Sequence, residues 1–264
     1  MKTIINTIAF AASLLLSGSA MAVATTVIAS DNFESGNAAG ASVIGSTGGI
    51  GWSSAWTSPT TVSTIVSPTG MEGDKSLQIS SNNGAIVSRD LSAAISGDVL
   101  VRFEIQYSGT LQRNDFLGFW FGDSTSPNVG LKANCDAANC TNDVFVRTDS
   151  AAKMLPGSDL AADTTYVVFA HLYKTNGSAT YNHFDAWLNP TDAEMLSLTT
   201  PDMVSSGSSS LTSFSKIGFR SDNLSDGVVV RVDDISISAI PEPTSIALFG
   251  AALLGMAGLR RRRA

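Results

Sequence analysis

Between Val99 and Tyr107 the chain alternates strictly. Val99, Val101, Phe103, Ile105 and Tyr107 fall on one face of an extended segment, and Leu100, Arg102, Glu104 and Gln106 on the other. Successive β-strand side chains point to opposite faces of a sheet, so this pattern predicts a strand with one face on a core. Comparable runs occur at residues 25–30, 76–81, 85–89, 115–122, 128–132, 143–147, 164–173, 181–188, 214–220 and 227–238, separated by Gly, Ser, Asn, Asp and Pro. A helical period shows only around Thr191 to Ser197, after Pro190. About a dozen strands with almost no helix predict an all-β fold of two packed sheets. Tyr166 to Ala170 and Phe116 to Phe121 are apolar on both faces, as central strands covered on two sides would be. Roughly 215 residues are too many for an immunoglobulin-like sandwich of about 100 and suit a long-stranded jelly roll. With no internal repeat, and no break in composition before the Ser-rich stretch 205–210, residues 23–240 read as one β-sandwich domain.

Both ends lie outside that pattern. Lys2, an apolar run from Ile4 to Leu16, and a small-residue Ala20-x-Ala22 site make residues 1–22 a signal peptide cleaved after Ala22, with the Sec translocon and signal peptidase as partners. At the other end, Pro241-Glu242-Pro243 precedes an apolar stretch from Thr244 to Leu259 and then Arg260, Arg261, Arg262 and Arg263. As a helix the apolar stretch would reach about 24 Å, short of the roughly 30 Å hydrocarbon core, which makes it a marginal single transmembrane helix. The four arginines are costly to translocate and act as a cytoplasmic anchor, leaving everything before Pro241 on the far side of the inner membrane.

That combination resembles the PEP-CTERM sorting signal, also described as an ice-binding-protein C-terminal type tail, over residues 240–264. The resemblance implies processing near Pro241-Glu242-Pro243 by an exosortase in a Gram-negative cell that makes exopolysaccharide. The domains are then a signal peptide (1–22), a sandwich (23–240) and a sorting signal (241–264), with the mature protein at the cell surface or extracellular. The alternative is a permanent single-span anchor.

A second resemblance concerns the sandwich. Asp31-Asn32-Phe33-Glu34-Ser35-Gly36-Asn37, the later Trp52 and the closing Val232-Asp233-Asp234-Ile235-Ser236-Ile237 are similar to the first and last strands of concanavalin A-like and carbohydrate-binding-module jelly rolls. On the last strand Val228, Val230 and Val232 share a face, whereas Ile235 and Ile237 have the opposite parity, so a bulge is expected at Asp233-Asp234. If first and last strands are neighbours, as in such jelly rolls, Asp31 or Glu34 could meet Asp233 or Asp234 and hold a structural Ca²⁺. Ordinary solvated edge carboxylates are the alternative.

The chain has 16 basic and 23 acidic residues; Lys2 and the four terminal arginines lie outside residues 23–243, leaving 11 against 23, a charge near −12. Nucleic acid and anionic lipid are poor partners for such a surface. Cys135 and Cys140, with four residues between them, suit a small disulfide loop in an oxidising compartment better than free thiols or a metal site lacking further ligands.

Catalytic signals are thin. Glycosidases on such sandwiches carry a Glu-x-Asp-x-x-Glu strand; Glu72-Gly73-Asp74 begins that pattern but meets Leu77, and Glu104 has no acidic residue two positions on. His171 and His183, with Asp185 two residues beyond, could form an acid–base or metal pair or be ordinary half-buried histidines. Nucleophile-elbow, P-loop and His-Glu-x-x-His motifs do not occur. Trp52, Trp56, Trp120 and Trp187, with Tyr107 and Tyr173, offer either core or a platform for sugar rings. The expected function is a non-enzymatic surface or matrix protein associating with exopolysaccharide. Two readings compete with it: an enzyme acting on polysaccharide through Glu104, Asp185 and Glu72, and a purely structural cohesion module.

Overall fold

The computed structural model describes residues 23, 25–36, 38–59, 63–67, 70–80, 86–123, 127–135, 140–149, 153–154, 158–175 and 177–241. In chain order the elements are β1 (Thr26–Asp31), β2 (Ser63–Val66), β3 (Ser76–Ile79), β4 (Ile86–Ile95), β5 (Val99–Ser108), β6 (Phe116–Phe121) and β7 (Asn128–Cys135). They continue with β8 (Cys140–Arg147), β9 (Lys153–Met154), β10 (Tyr166–Tyr173), β11 (His183–Leu188), α1 (Asp192–Ser197), β12 (Met203–Ser206), β13 (Phe214–Asp222) and β14 (Val229–Ala239). The first sheet runs β12-β11-β10-β5-β14-β3-β2, with β1 also on β14; the second runs β4-β13-β6-β7-β8-β9. All the strand pairs are antiparallel. This is the expected all-β, two-sheet jelly-roll sandwich.

Alternation decides which side chains meet between the sheets. Val101, Phe103 and Ile105 of β5 face Leu117, Phe119 and Phe121 of β6 and Ile217 and Phe219 of β13 within one buried cluster. Its centre is aromatic: Phe103 stacks on Phe119 at 5.5 Å, and Phe219 meets both edge-on at 5.7 and 5.1 Å. Each such pair adds roughly 0.5–1.5 kcal/mol to what burial supplies. Among the described residues the one helix, α1, falls where the helical period occurs in the sequence. Thr191 caps it, accepting from the Glu194 N–H while Glu194 reaches back to the Thr191 N–H, a capping box.

β14 organises the first sheet. One of its edges runs along β5 from Val229 to Ala239. The other edge is shared, with β3 paired to Val230–Val232 and β1 to Ile235–Ala239. The register against β5 slips between Asp233 and Ser236, and Asp234 takes a left-handed conformation (φ 46°). The bulge read from valine and isoleucine parity is therefore present, where β14 changes neighbours. β1's free edge is covered by the 49–51 loop, bonded as Ser30↔Ile50. Gly51 (φ 82°) belongs there because a Cβ would land on the Ile28 carbonyl oxygen.

One ion pair crosses the sandwich. Asp31 and Arg89 are each 2 % exposed, and Arg89 Nη1 donates to Asp31 Oδ2 at 2.6 Å. The same oxygen accepts from Trp56 Nε1 at 2.7 Å, and Oδ1 accepts from the Phe33 N–H at 3.0 Å. Arg89 also donates to the Ser54 and Gly48 carbonyls at 2.8 and 2.6 Å, with Trp52 4.9 Å from its guanidinium carbon. Burial lowers the pKa of Arg89, opposed by the charge of Asp31 and the hydrogen bond to it. β1, β4 and the Trp52–Trp56 loop are thus joined by a buried charge with its donors placed.

Candidate functional site

The outer face of the second sheet carries a cleft lined by aromatic and charged side chains. Register places Asp222, Phe116, Lys132 and Asp143 in one cross-strand row, and Arg220, Gly118, Gly130 and Phe145 in the next. A third row sets Gly218, Trp120, Asn128 and Arg147 side by side. Their strand neighbours Leu117, Phe119, Val129, Leu131, Val144, Val146, Ile217 and Phe219 are all in the core, which fixes the first set as outward. With no side chain at Gly118 or Gly130, the middle of this face is low. The Phe116 ring folds over Gly118, whose Cβ would meet it at 2.7 Å.

The result is a cleft of about 290 Å³ lined by Asn114, Phe116, Lys132, Phe145, Arg147, Arg220, Asp222 and Asn223. Phe116 and Phe145 lie 5.2 Å apart, tilted by 35°. The guanidinium carbons of Arg147 and Arg220 both stand 5.9 Å from the Phe116 ring centre, within cation–π range. Arg147 Nε donates to Asn128 Oδ1 at 2.8 Å, and Arg220 Nη2 to Asp222 Oδ2 at 2.6 Å. Burial, and then the positive charge of Arg220, lower the pKa of Arg147, with Asp149 opposing them. Chemically the cleft offers one aromatic face, fork-shaped cationic donors and amide groups at its rim.

The expected calcium residues separate. Asp31 shares the inward parity of Ala29 and spends its carboxylate on Arg89, Trp56 and its own turn, so it is not a ligand beside the last strand. Glu34, Asp233 and Asp234 do lie close together, joined by Glu104, which faces Asp233 in register. Glu34 Oε1 accepts from the Asp74 and Lys75 N–H groups at 2.6 and 2.8 Å, Asp234 pairs with Arg102, and Glu104 Oε2 accepts from the Glu72 N–H at 3.1 Å. Asp233 is 1 % exposed; its Oδ1 accepts from the Asp234 N–H at 2.7 Å, while Oδ2 has no hydrogen-bond partner among the described residues. Burial pushes this carboxyl up to about 8, helped by Glu104, Asp234 and Glu34 and opposed by the Asp234 N–H. The orphaned oxygen and surrounding charge suit a hard cation, yet no three Asp, Glu, His or Cys side chains among the described residues stand at metal-binding geometry.

The carboxylates named for catalysis do not converge. Asp185 faces His171, which faces Leu100, whereas Glu104 lies four residues along β5; strand geometry puts the two positions about 17 Å apart. Glu72 meets Glu104 only through its backbone N–H. His171, Tyr173, His183 and Asp185 share the outer face of the first sheet. Tyr173 stacks on His171 at 4.3 Å and donates to Asp185 Oδ2 at 3.0 Å, while burial raises the pKa of Asp185.

The tryptophans form no platform: Trp56 and Trp187 are fully buried, Trp120 is 3 % exposed, and Trp52 packs on the core. The aromatic surface is instead phenylalanine, missed in sequence because Phe116 sits in a run apolar on both faces. Cys135 and Cys140 face each other as register partners of β7 and β8; their side chains lie outside the described residues, as do Ala20, Ala22, Glu242, Pro243 and Arg260–Arg263. Pro241 is described and exposed, two residues after β14 ends. Among the described residues no helix is long and apolar enough to cross a membrane, and the expected span 244–259 lies outside them.

No curated protein matches the chain. Solved structures that align with the chain include the cellulose-induced protein Cip1, 19 % identical, at a TM-score of 0.47, covering 79 % of this chain and 95 % of that one. The globular domain of calreticulin from T. cruzi aligns at 12 % identity and a TM-score of 0.47, over 88 % of this chain and 95 % of that one. A conserved carbohydrate esterase of the Shiga toxin-encoding bacteriophage phi24B aligns at 12 % identity and 0.44, over 70 % and 90 %. The end of the chain is the more specific match: residues 239–263, which begin on the last residue of β14, match the PEP-CTERM protein-sorting motif, the signal for exosortase-dependent export to the cell surface.

Proposed function

We propose that this chain is a surface or extracellular-matrix protein that passes the Sec translocon, loses residues 1–22 to signal peptidase and is processed by an exosortase, and that its sandwich binds exopolysaccharide without cleaving it. The observation that carries the binding half is the Phe116 ring, flanked by two guanidinium groups above a glycine floor. The apolar face of a sugar ring packs on such an aromatic face while its hydroxyls meet nearby donors, and ligand sites commonly combine one apolar surface with a few placed polar groups. Hydrolysis of a glycan needs a pair of carboxylates about 5–10 Å apart; this cleft is lined by one, Asp222, which favours binding over turnover. A structural Ca²⁺ belongs to the proposal beside Asp233, whose Oδ2 has no hydrogen-bond partner among the described residues, and would take no part in binding sugar.

Two measurements test this. Intact mass of the protein recovered from its host should start near Val23, lack the segment after Pro243, and lie two hydrogens below the reduced mass if Cys135 and Cys140 are joined. Retention of the segment and its arginines would leave only an anchor. Affinity electrophoresis in gels containing the host's exopolysaccharide should show retardation that Phe116→Ala abolishes. Release of new reducing ends would refute the non-enzymatic half.

A further inference from the structure

The sandwich opens where the sorting motif leaves it. Along β13, Lys216 pairs with Asp90 of β4 but Phe214 pairs with Ile95, so Leu91, Ser92, Ala93 and Ala94 stand opposite Ser215 alone. This bulge carries β4 off its neighbour and leaves Ser92, Ala93 and Ala94 exposed in succession, where a regular strand would alternate. The 49–51 loop holds the displaced segment, the Ser92 N–H donating to the Gly51 carbonyl at 2.9 Å. A groove of about 390 Å³ results, lined by residues 91–97 together with Gly51, Ile28 of β1 and Ala239 of β14. None of these lining residues is charged, in a mature domain with 11 basic and 23 acidic residues. Val27 and Ile50, next in sequence to two of them, are large apolar side chains 50 % and 60 % exposed.

Ala239 is at once part of this groove, the last residue of β14 and the first residue of the sorting motif. Ile240 is tied beside it, its N–H donating to the carbonyl of Asp98, one residue past Gly97, at 3.1 Å. Pro241 is exposed and has no N–H with which to prolong the strand. A chain covers at most about 3.6 Å per residue, so Pro241-Glu242-Pro243 stays within roughly 15 Å of Ala239. An enzyme that grips this segment therefore brings its own surface against the groove. We infer that the exosortase docks on this groove, an uncharged apolar segment of its extracytoplasmic face filling the space beside residues 91–97 and Ala239 while the tail is held for cutting. An uncharged lining can be covered without stripping water from an ion, and docking adds a contact with the folded domain to recognition of the tail. The inference rests on the exosortase reading above and extends it from the tail to the domain.

Two experiments on the full chain in its host test it. Ala94→Asp puts a carboxylate at an exposed position of the free domain, so the urea midpoint should stay close to wild type, whereas in the docked state the charge lies buried without a partner. In a pulse-chase, loss of the tail should be at least about tenfold slower than in wild type, while Ala193→Asp, at an exposed position of α1, should process normally. A photo-crosslinking residue at position 94 should yield an adduct with the exosortase that is absent from a strain lacking the enzyme. This adduct decides the matter if Ala94→Asp lowers the urea midpoint. Processing of a stably folded Ala94→Asp at the wild-type rate, or adducts at position 94 with lipid alone, overturns the docking and leaves exosortase processing standing. A wild-type tail that is retained, or removed equally fast without the enzyme, overturns both.

Discussion

Replacing Asp233 by Asn should make the protein more stable, increasingly so as the pH rises. The wild-type carboxyl is pushed from 3.8 to about 8 in the folded state, roughly four units at about 1.4 kcal/mol each, or on the order of 5 kcal/mol. A raised pKa means the folded protein keeps the proton that the unfolded chain gives up. The wild type therefore loses stability as pH climbs from about 4 to about 8, and the loss levels off above that range. Asn retains an oxygen to accept the Asp234 N–H that Oδ1 now takes at 2.7 Å. Its amide would stand where Oδ2 lacks a partner, in reach of the surrounding carboxylates. Urea unfolding in EDTA at about pH 5 and about pH 9 should show wild type and variant diverging by several kcal/mol between the two conditions. Parallel behaviour would refute the argument that Asp233 is held protonated. Repeating the alkaline measurement with Ca²⁺ separates proton from metal: an ion at the cluster should restore the wild type and leave the variant unmoved.

Further tests address the frame. Asp31→Asn strands the Arg89 charge between the sheets and should cost about 3–5 kcal/mol in urea, the penalty for breaking a buried pair. Gly51→Ala puts a methyl group on the Ile28 carbonyl at a left-handed position and should lower the urea midpoint; an unchanged midpoint would mean the 49–51 loop does not hold β1's edge.

Strand placement was legible because packing here is set by parity. β5 reads directly from Val99 to Tyr107, and even the bulge in β14 shows as the change of parity between Val232 and Ile235. β2 and β12 escaped: each is four residues long and supplies only two buried positions to the pattern. Asp31 was misassigned although Ala29 and Phe33, both buried, share its parity; a carboxylate on a buried parity predicts an internal cation, and Arg89, 58 residues away, could not be named before the sheets were paired. The cleft was illegible for the same reason. Phe116, Arg147 and Arg220 come from three strands, and the registers of β13 with β6, β6 with β7 and β7 with β8 together bring them onto one face.

The position of β14 bears on when this protein can fold. It lies inside the first sheet, between β5 on one side and β3 and β1 on the other, and it ends where the sorting motif begins. A chain delivered N-terminus first therefore releases the strand that joins its earliest segment to its middle only after nearly everything else has emerged. Until then β1, β3 and β5 each keep an open edge, and Glu34 and Glu104 lack the bulged strand that brings Asp233 to them. On the proposed route, in which the chain crosses N-terminus first, the first sheet closes only once the segment next to the sorting motif has emerged, so completion of that sheet marks delivery of the whole domain.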